Sequence, residues 1–137
     1  MIDMIILICG LPRAGKTTYS KQYEGKCKIY HLDDYGGPVN SYVYLNKKIN
    51  PNEDILIEGV YNRTEQRKNL ILPYKNDNKI CIWLDTSTEV KRTRHGYGKH
   101  CEYSFEPPTY DEGWDEIYII KDNKEKYLLP KKETINV

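Results

Sequence analysis

Gly10, Gly15, Lys16 and Thr17 stand in the spacing G-x-x-x-x-G-K-[ST], which the run Gly10-Leu11-Pro12-Arg13-Ala14-Gly15-Lys16-Thr17 satisfies in full, with Thr18 next. Glycines at both ends let a backbone wrap closely around phosphate oxygens and aim consecutive N–H groups at them. Lys16 is placed to reach β- and γ-phosphates, and the Thr17 hydroxyl to ligate Mg²⁺. The motif implies binding of a nucleoside triphosphate, ATP or a relative, together with its Mg²⁺. Transfer of the terminal phosphoryl group to a hydroxyl needs a carboxylate to orient that hydroxyl and take its proton. Asp33 is the candidate base. The charge that develops on the moving group needs cations, and Arg92 and Arg94 precede a Gly96-Tyr97-Gly98 stretch suited to hinging a lid. Asp34, Glu58 and Asp85 are further candidates for the metal.

These residues need elements to hold them. Ile5-Ile6-Leu7-Ile8-Cys9 is a continuous apolar run, the pattern of a strand buried on both faces. Similar runs are expected at Cys27–Leu32, Asp54–Glu58, Lys79–Asp85 and Glu116–Ile120. Helices are expected over Lys16–Tyr23, around Ser41–Lys48, over Thr64–Leu72 (capped by Asn62 or Thr64) and over Ser87–Arg94. Thr86 is expected to cap the last of these, with Glu89 as its partner. Alternation of such strands and helices predicts an α/β fold, a parallel sheet of about five strands with helices on both faces. Ligands in such folds bind beyond the carboxyl ends of the strands, where Gly10, Asp33, Glu58 and Asp85 all fall.

The chain has 137 residues, 39% apolar and 30% charged, with a net charge of +1. That length predicts one domain, residues 1–137. The longest apolar run falls far short of the ~20 residues of a membrane span, so no membrane partner is expected. Four scattered cysteines and no visible secretory signal predict reduced thiols and a cytoplasmic address. Near-neutral charge argues against a global pull toward nucleic acid. The acids of residues 102–116 read as a solvated face. Residues 121–137 read as a flexible basic tail, or one that contacts a nucleic-acid backbone.

Four segments together resemble the 5′-hydroxyl polynucleotide kinases and their small P-loop relatives. They are Gly10–Thr18, Leu32-Asp33-Asp34-Tyr35, Glu89-Val90-Lys91-Arg92-Thr93-Arg94, and the run Phe105-Glu106-Pro107-Pro108-Thr109-Tyr110-Asp111-Glu112-Gly113-Trp114-Asp115-Glu116-Ile117. The resemblance implies a P-loop NTPase fold, Asp33 as general base, lid arginines at the phosphates and a 5′-hydroxyl end of DNA or RNA as acceptor. It places Tyr35, Glu58, Asn62 and Arg63 toward that acceptor. Lys47, Lys48, Arg63, Arg67 and Lys68 are its candidate phosphate contacts, and Tyr35, Tyr42, Tyr44 and Tyr61 could stack on bases. The chain departs from the pattern at Gly36-Gly37, where the family carries an arginine, and at Glu58, where it carries aspartate. The Tyr35–Asn52 segment is also short. A nucleoside, a nucleotide or another small metabolite is therefore the alternative acceptor, and a non-catalytic nucleotide-binding regulator is the alternative of another class.

Overall fold

The computed structural model describes residues 4–35, 41–49, 53–74, 78–99, 104–122 and 124–131. Its strands are β1 (Met4–Cys9), β2 (Lys28–His31), β3 (Ile55–Gly59), β4 (Asn78–Asp85), β5 (Glu116–Lys121) and β6 (Lys126–Leu128). The helices are α1 (Lys16–Ser20, continued by a 3-10 turn at Lys21–Tyr23), α2 (Ser41–Lys48), α3 (Thr64–Ile71) and α4 (Thr88–Arg92). The sheet runs β2-β3-β1-β4-β5-β6. The first five strands pair in parallel and β6 runs antiparallel to β5. Strand β1 therefore sits inside the sheet, and its neighbours β3 and β4 bring Glu58 and Trp83 level with Ile8 and Cys9.

Apolar runs build this sheet because both faces are covered. On β1, Ile5, Leu7 and Cys9 join one core with Leu45 of α2, Leu70 and Ile71 of α3, and Trp114. The alternate residues Ile6 and Ile8 join a second core with Ala14 and, at its edge, Tyr19 and Tyr23. Two-residue periodicity thus splits one strand between two helical layers. Each fully buried Ile or Leu contributes about 1.5–3 kcal/mol relative to exposure.

The residues preceding β5 are folded into this body. Arg67 and Glu112 are buried and paired, Nε to Oε1 at 2.8 Å. Arg67 also donates to the carbonyls of Tyr61 and Glu106, and Glu112 accepts from Thr64 Oγ1 and Trp114 Nε1. Phe105 stacks on Trp83 with centroids 5.3 Å apart, and the Arg67 guanidinium lies over its ring. The Phe105–Trp114 run is a strap that locks α3 to the sheet. Its acid stretch is not wholly a solvated face, since a 3-10 turn at Tyr110–Glu112 points Glu112 inward.

Three further expectations shift. The sheet has six strands, because residues 126–128 of the lysine-rich tail pair with β5. There Leu129 N–H donates to the Ile117 carbonyl (2.8 Å) and the Tyr110 hydroxyl donates to the Leu129 carbonyl. Residues 132–137 of the tail lie outside the described residues. Helix α3 takes Arg63, rather than Asn62 or Thr64, at its N-cap position, because Thr64 Oγ1 is drawn inward to Glu112. Helix α4 is capped by Ser87, whose hydroxyl accepts from Val90 N–H, while Thr86 is used elsewhere.

Candidate functional site

The loop between β1 and α1 turns back on itself over the carboxyl edge of the sheet. Ala14 N–H donates to the Leu11 carbonyl (3.0 Å), and the Lys16 ammonium donates to the same carbonyl (2.9 Å). Gly10 has no room for a side chain, since a Cβ there would stand 2.9 Å from the Leu84 carbonyl oxygen. Thr86 Oγ1 reaches across from the end of β4 to donate to the Ala14 carbonyl (2.9 Å). This link between residues 72 apart carries no local sequence signal, which is why Thr86 read as a helix cap. Arg13 holds a φ of 69°, a left-handed conformation that costs a non-glycine residue roughly 1–2 kcal/mol.

An open cleft of about 1150 Å³ lies along the loop. Its walls include Pro12, Arg13, Gly15, Lys16, Thr17, Thr18, Asp33, Glu58, Arg94 and His95, with Gln22, Ile120, Lys124 and Lys126 also lining it. Lys16 and Glu58 are buried, while Thr17 and Asp33 are exposed. Glu58 sits between two partners. Its Oε1 accepts a long bond from Thr17 Oγ1 (3.5 Å), and its Oε2 lies 3.0 Å from His31 Nδ1. A carboxylate only accepts, so His31 carries its proton on Nδ1. His31 was not singled out from the sequence, because its partner is 27 positions away.

Mg²⁺ takes hard oxygen donors, one or two from protein and the rest from phosphate and water. Thr17 Oγ1 and Glu58 Oε1 fit that pattern, and among the described residues no cluster of three His, Cys, Asp or Glu side chains offers an all-protein cage. Glu58 thus lies beside Thr17, its Oε1 within a long hydrogen bond of the Thr17 hydroxyl.

Other candidates stand apart. Asp34, Asp85 and Arg92 do not line the cleft, and the Asp85 carbonyl is engaged by Asp122 N–H (3.3 Å). Arg94 lines it, donating to the Arg13 carbonyl across the loop. Tyr35 packs against Tyr30 in the core, and Asn62 Nδ2 donates to the Ser104 carbonyl. Arg63 belongs to a separate hollow of about 300 Å³ with Tyr42, Asn46 and Gln66, which shares no lining residue with the cleft. Tyr61 is fully buried and meets Tyr42 edge-on at 4.8 Å, so Tyr61 presents no open face to a base, while Tyr42 is half-buried at the hollow. Burial raises the Tyr42 hydroxyl's pKa, and the nearby Asp33 charge adds to the rise. The Tyr44 side chain lies outside the described residues. Arg67, a candidate phosphate contact, is fully buried against Glu112.

The fold matches solved structures that include two described as kinases. A gluconokinase from Sinorhizobium meliloti 1021 superposes with a TM-score of 0.68 at 10% identity, covering 90% of this chain and 85% of that one. A sugar kinase from Janibacter sp. HTCC2649 gives 0.59 at 15% identity, covering 91% and 88%. Kti12 from Chaetomium thermophilum, in complex with ADP-AlF3, gives 0.55 at 16% identity, covering 85% and 88%. No protein-family model matches the chain, and a comparison with curated proteins finds no match. The molecule is thus an α/β protein with the P-loop NTPase fold. Nothing in these likenesses singles out the 5′-hydroxyl polynucleotide kinases. Among the described residues, no helix is long and apolar enough to cross a membrane.

Proposed function

We propose that this protein is a P-loop kinase that transfers the γ-phosphoryl group of ATP to a hydroxyl of a small acceptor: a nucleoside, a nucleotide or another metabolite. The observation that carries the reading is one cleft lined by Lys16, Thr17, Asp33, Glu58 and Arg94. Lys16 exchanges the Leu11 carbonyl for phosphate oxygens when a triphosphate fills the loop. Thr17 and Glu58 would hold Mg²⁺, which when bound would supply positive charge at the phosphates. Asp33, at the end of β2, orients the acceptor hydroxyl and takes its proton. Arg94 presents a planar fork of donors to the group in transfer.

The acceptor follows from what has moved out of reach. The segment that most resembles polynucleotide kinases is occupied in the Arg67–Glu112 strap, and Arg67 is removed from any phosphate track. The solved structures sharing this fold include proteins described as a gluconokinase and a sugar kinase, which supports a small polyhydroxylated acceptor. The test is labelled ATP with Mg²⁺ offered to sugars, sugar acids, nucleosides, nucleotides and 5′-hydroxyl oligonucleotides. Transfer to a small acceptor is expected. Transfer to oligonucleotides alone would replace this reading with the polynucleotide one, and ATP binding without transfer to any acceptor would favour a regulator.

A further inference from the structure

Arg13 is a strained residue with a specific neighbour. Its φ of 69° lies where glycine is favoured, yet the position carries a long charged side chain. Strain of this kind persists when the surroundings hold it, and it concentrates at functional sites. The surroundings here are the segment after α4. A Cβ added to Gly96 would stand 2.3 Å from Arg13 Nη2 and 2.8 Å from its Cζ, so the guanidinium is seated directly over the Gly96 backbone. Gly96 has its own positive φ of 84°. In the other direction, Arg94 Nη1 donates to the Arg13 carbonyl. Each segment holds the other: the loop's side chain rests on the lid's glycine, and the lid's side chain grips the loop's backbone. Arg13, Arg94 and His95 all line the cleft that Lys16 and Thr17 share.

We propose that Arg13 is a positioning residue whose clasp with Gly96 fixes Arg94 over the triphosphate. One N–H of Arg94 is used on the Arg13 carbonyl, and a guanidinium has five, so the clasp is compatible with further bonds to phosphate. The strained arginine thereby couples the phosphate loop to the lid before any nucleotide binds. The catalytic consequence rests on the kinase reading above; the clasp itself does not.

The test uses four variants of the full chain. Arg13→Gly suits the left-handed backbone, so its thermal midpoint should match or exceed wild type. Its turnover should nevertheless fall by about tenfold or more while ATP affinity changes less than about threefold, the pattern of an interaction felt mainly in the transition state. Arg13→Lys keeps the charge but not the flat guanidinium, and should lose nearly as much. Gly96→Ala should also lose turnover. Adding it to Arg13→Gly should cost far less than it does alone, because the two changes break one contact. Hydrogen exchange at amides 93–97 of the nucleotide-free protein should quicken in Arg13→Gly. Unchanged exchange there overturns the clasp whatever the activity. Full turnover in Arg13→Lys, or additive losses in the double variant, overturns the positioning role. Quickened exchange in a protein that phosphorylates nothing would leave the clasp standing and defeat the kinase reading instead.

Discussion

Lys16 shows how one side chain serves two states. In the structure its ammonium donates a hydrogen bond to the loop's own carbonyl at Leu11, a contact that, on the kinase reading, a triphosphate would replace. Lys16→Ala should therefore abolish measurable ATP binding by calorimetry while leaving the thermal midpoint nearly unchanged; undiminished affinity would contradict the assignment. Asp33→Asn should instead leave ATP binding intact and lower turnover by about 10²-fold or more, the usual worth of a general base. A larger loss from Asp34→Asn than from Asp33→Asn would move the base by one residue. The residues legible in sequence were those whose spacing is local: the loop glycines, Lys16 and Thr17 lie within eight positions. Thr86 and His31 were not legible, because each acts on a partner brought near only by strand order. Glu58 was ambiguous for the same reason, since its neighbours Thr17 and His31 come from two other elements.

At the scale of elements, the strap between β4 and β5 shows where charge patterning misleads. Residues 102–116 hold six acids and no base, yet Glu112 is buried and accepts from Arg67, Thr64, Thr109 and Trp114. Burial alone would lower the Arg67 pKa, but the Glu112 hydrogen bonds more than offset this, and it is held above its ordinary value. Removing one partner strands the other charge away from water. Arg67→Met should thus cost about 3–5 kcal/mol in chemical denaturation. A loss below about 1 kcal/mol, as for a surface pair, would show that the strap does not hold α3. The second pinned junction lies at the N-cap of α4. Asp122 Oδ1 accepts from Ser87 N–H (2.6 Å), and that bond holds its carboxyl below the ordinary aspartate range. A depressed folded pKa contributes stability that is present above the unfolded pKa and is lost as pH falls through the folded one. Wild type should show an acid-side fall in thermal midpoint that Asp122→Asn, still an acceptor but uncharged, reduces. Identical midpoint-against-pH curves for the two proteins would remove Asp122 from the account.

At the scale of the whole molecule, the proposed acceptor is tested by how far it extends beyond the hydroxyl. The parallel sheet itself was readable because five largely apolar runs alternate with helical segments and must be covered by them. Strand β6 was not, since Lys126-Tyr127-Leu128 is exposed throughout and is recruited only by pairing with β5. A polynucleotide would need a row of cations leading away from Asp33, each phosphate neutralised adding to the salt dependence of binding. Of the five basic residues that sequence placed there, Arg67 is buried in its ion pair and Arg63 lines a separate hollow beside Glu106. Lys47 and Lys48 on α2 and Lys68 on α3 are exposed and line neither the cleft nor the hollow. Lys124 and Lys126 line the same cleft as Lys16 and Thr17, where on the kinase reading they would meet the donor. The expected steady-state result is a kcat/KM for a small acceptor at least equal to that for a ten-nucleotide strand of about the same 5′ end, with only shallow dependence on added salt. Efficiency that climbed from nucleoside to oligonucleotide and fell steeply with salt would show a phosphate track running over surface lysines, and the acceptor would then be a nucleic-acid end.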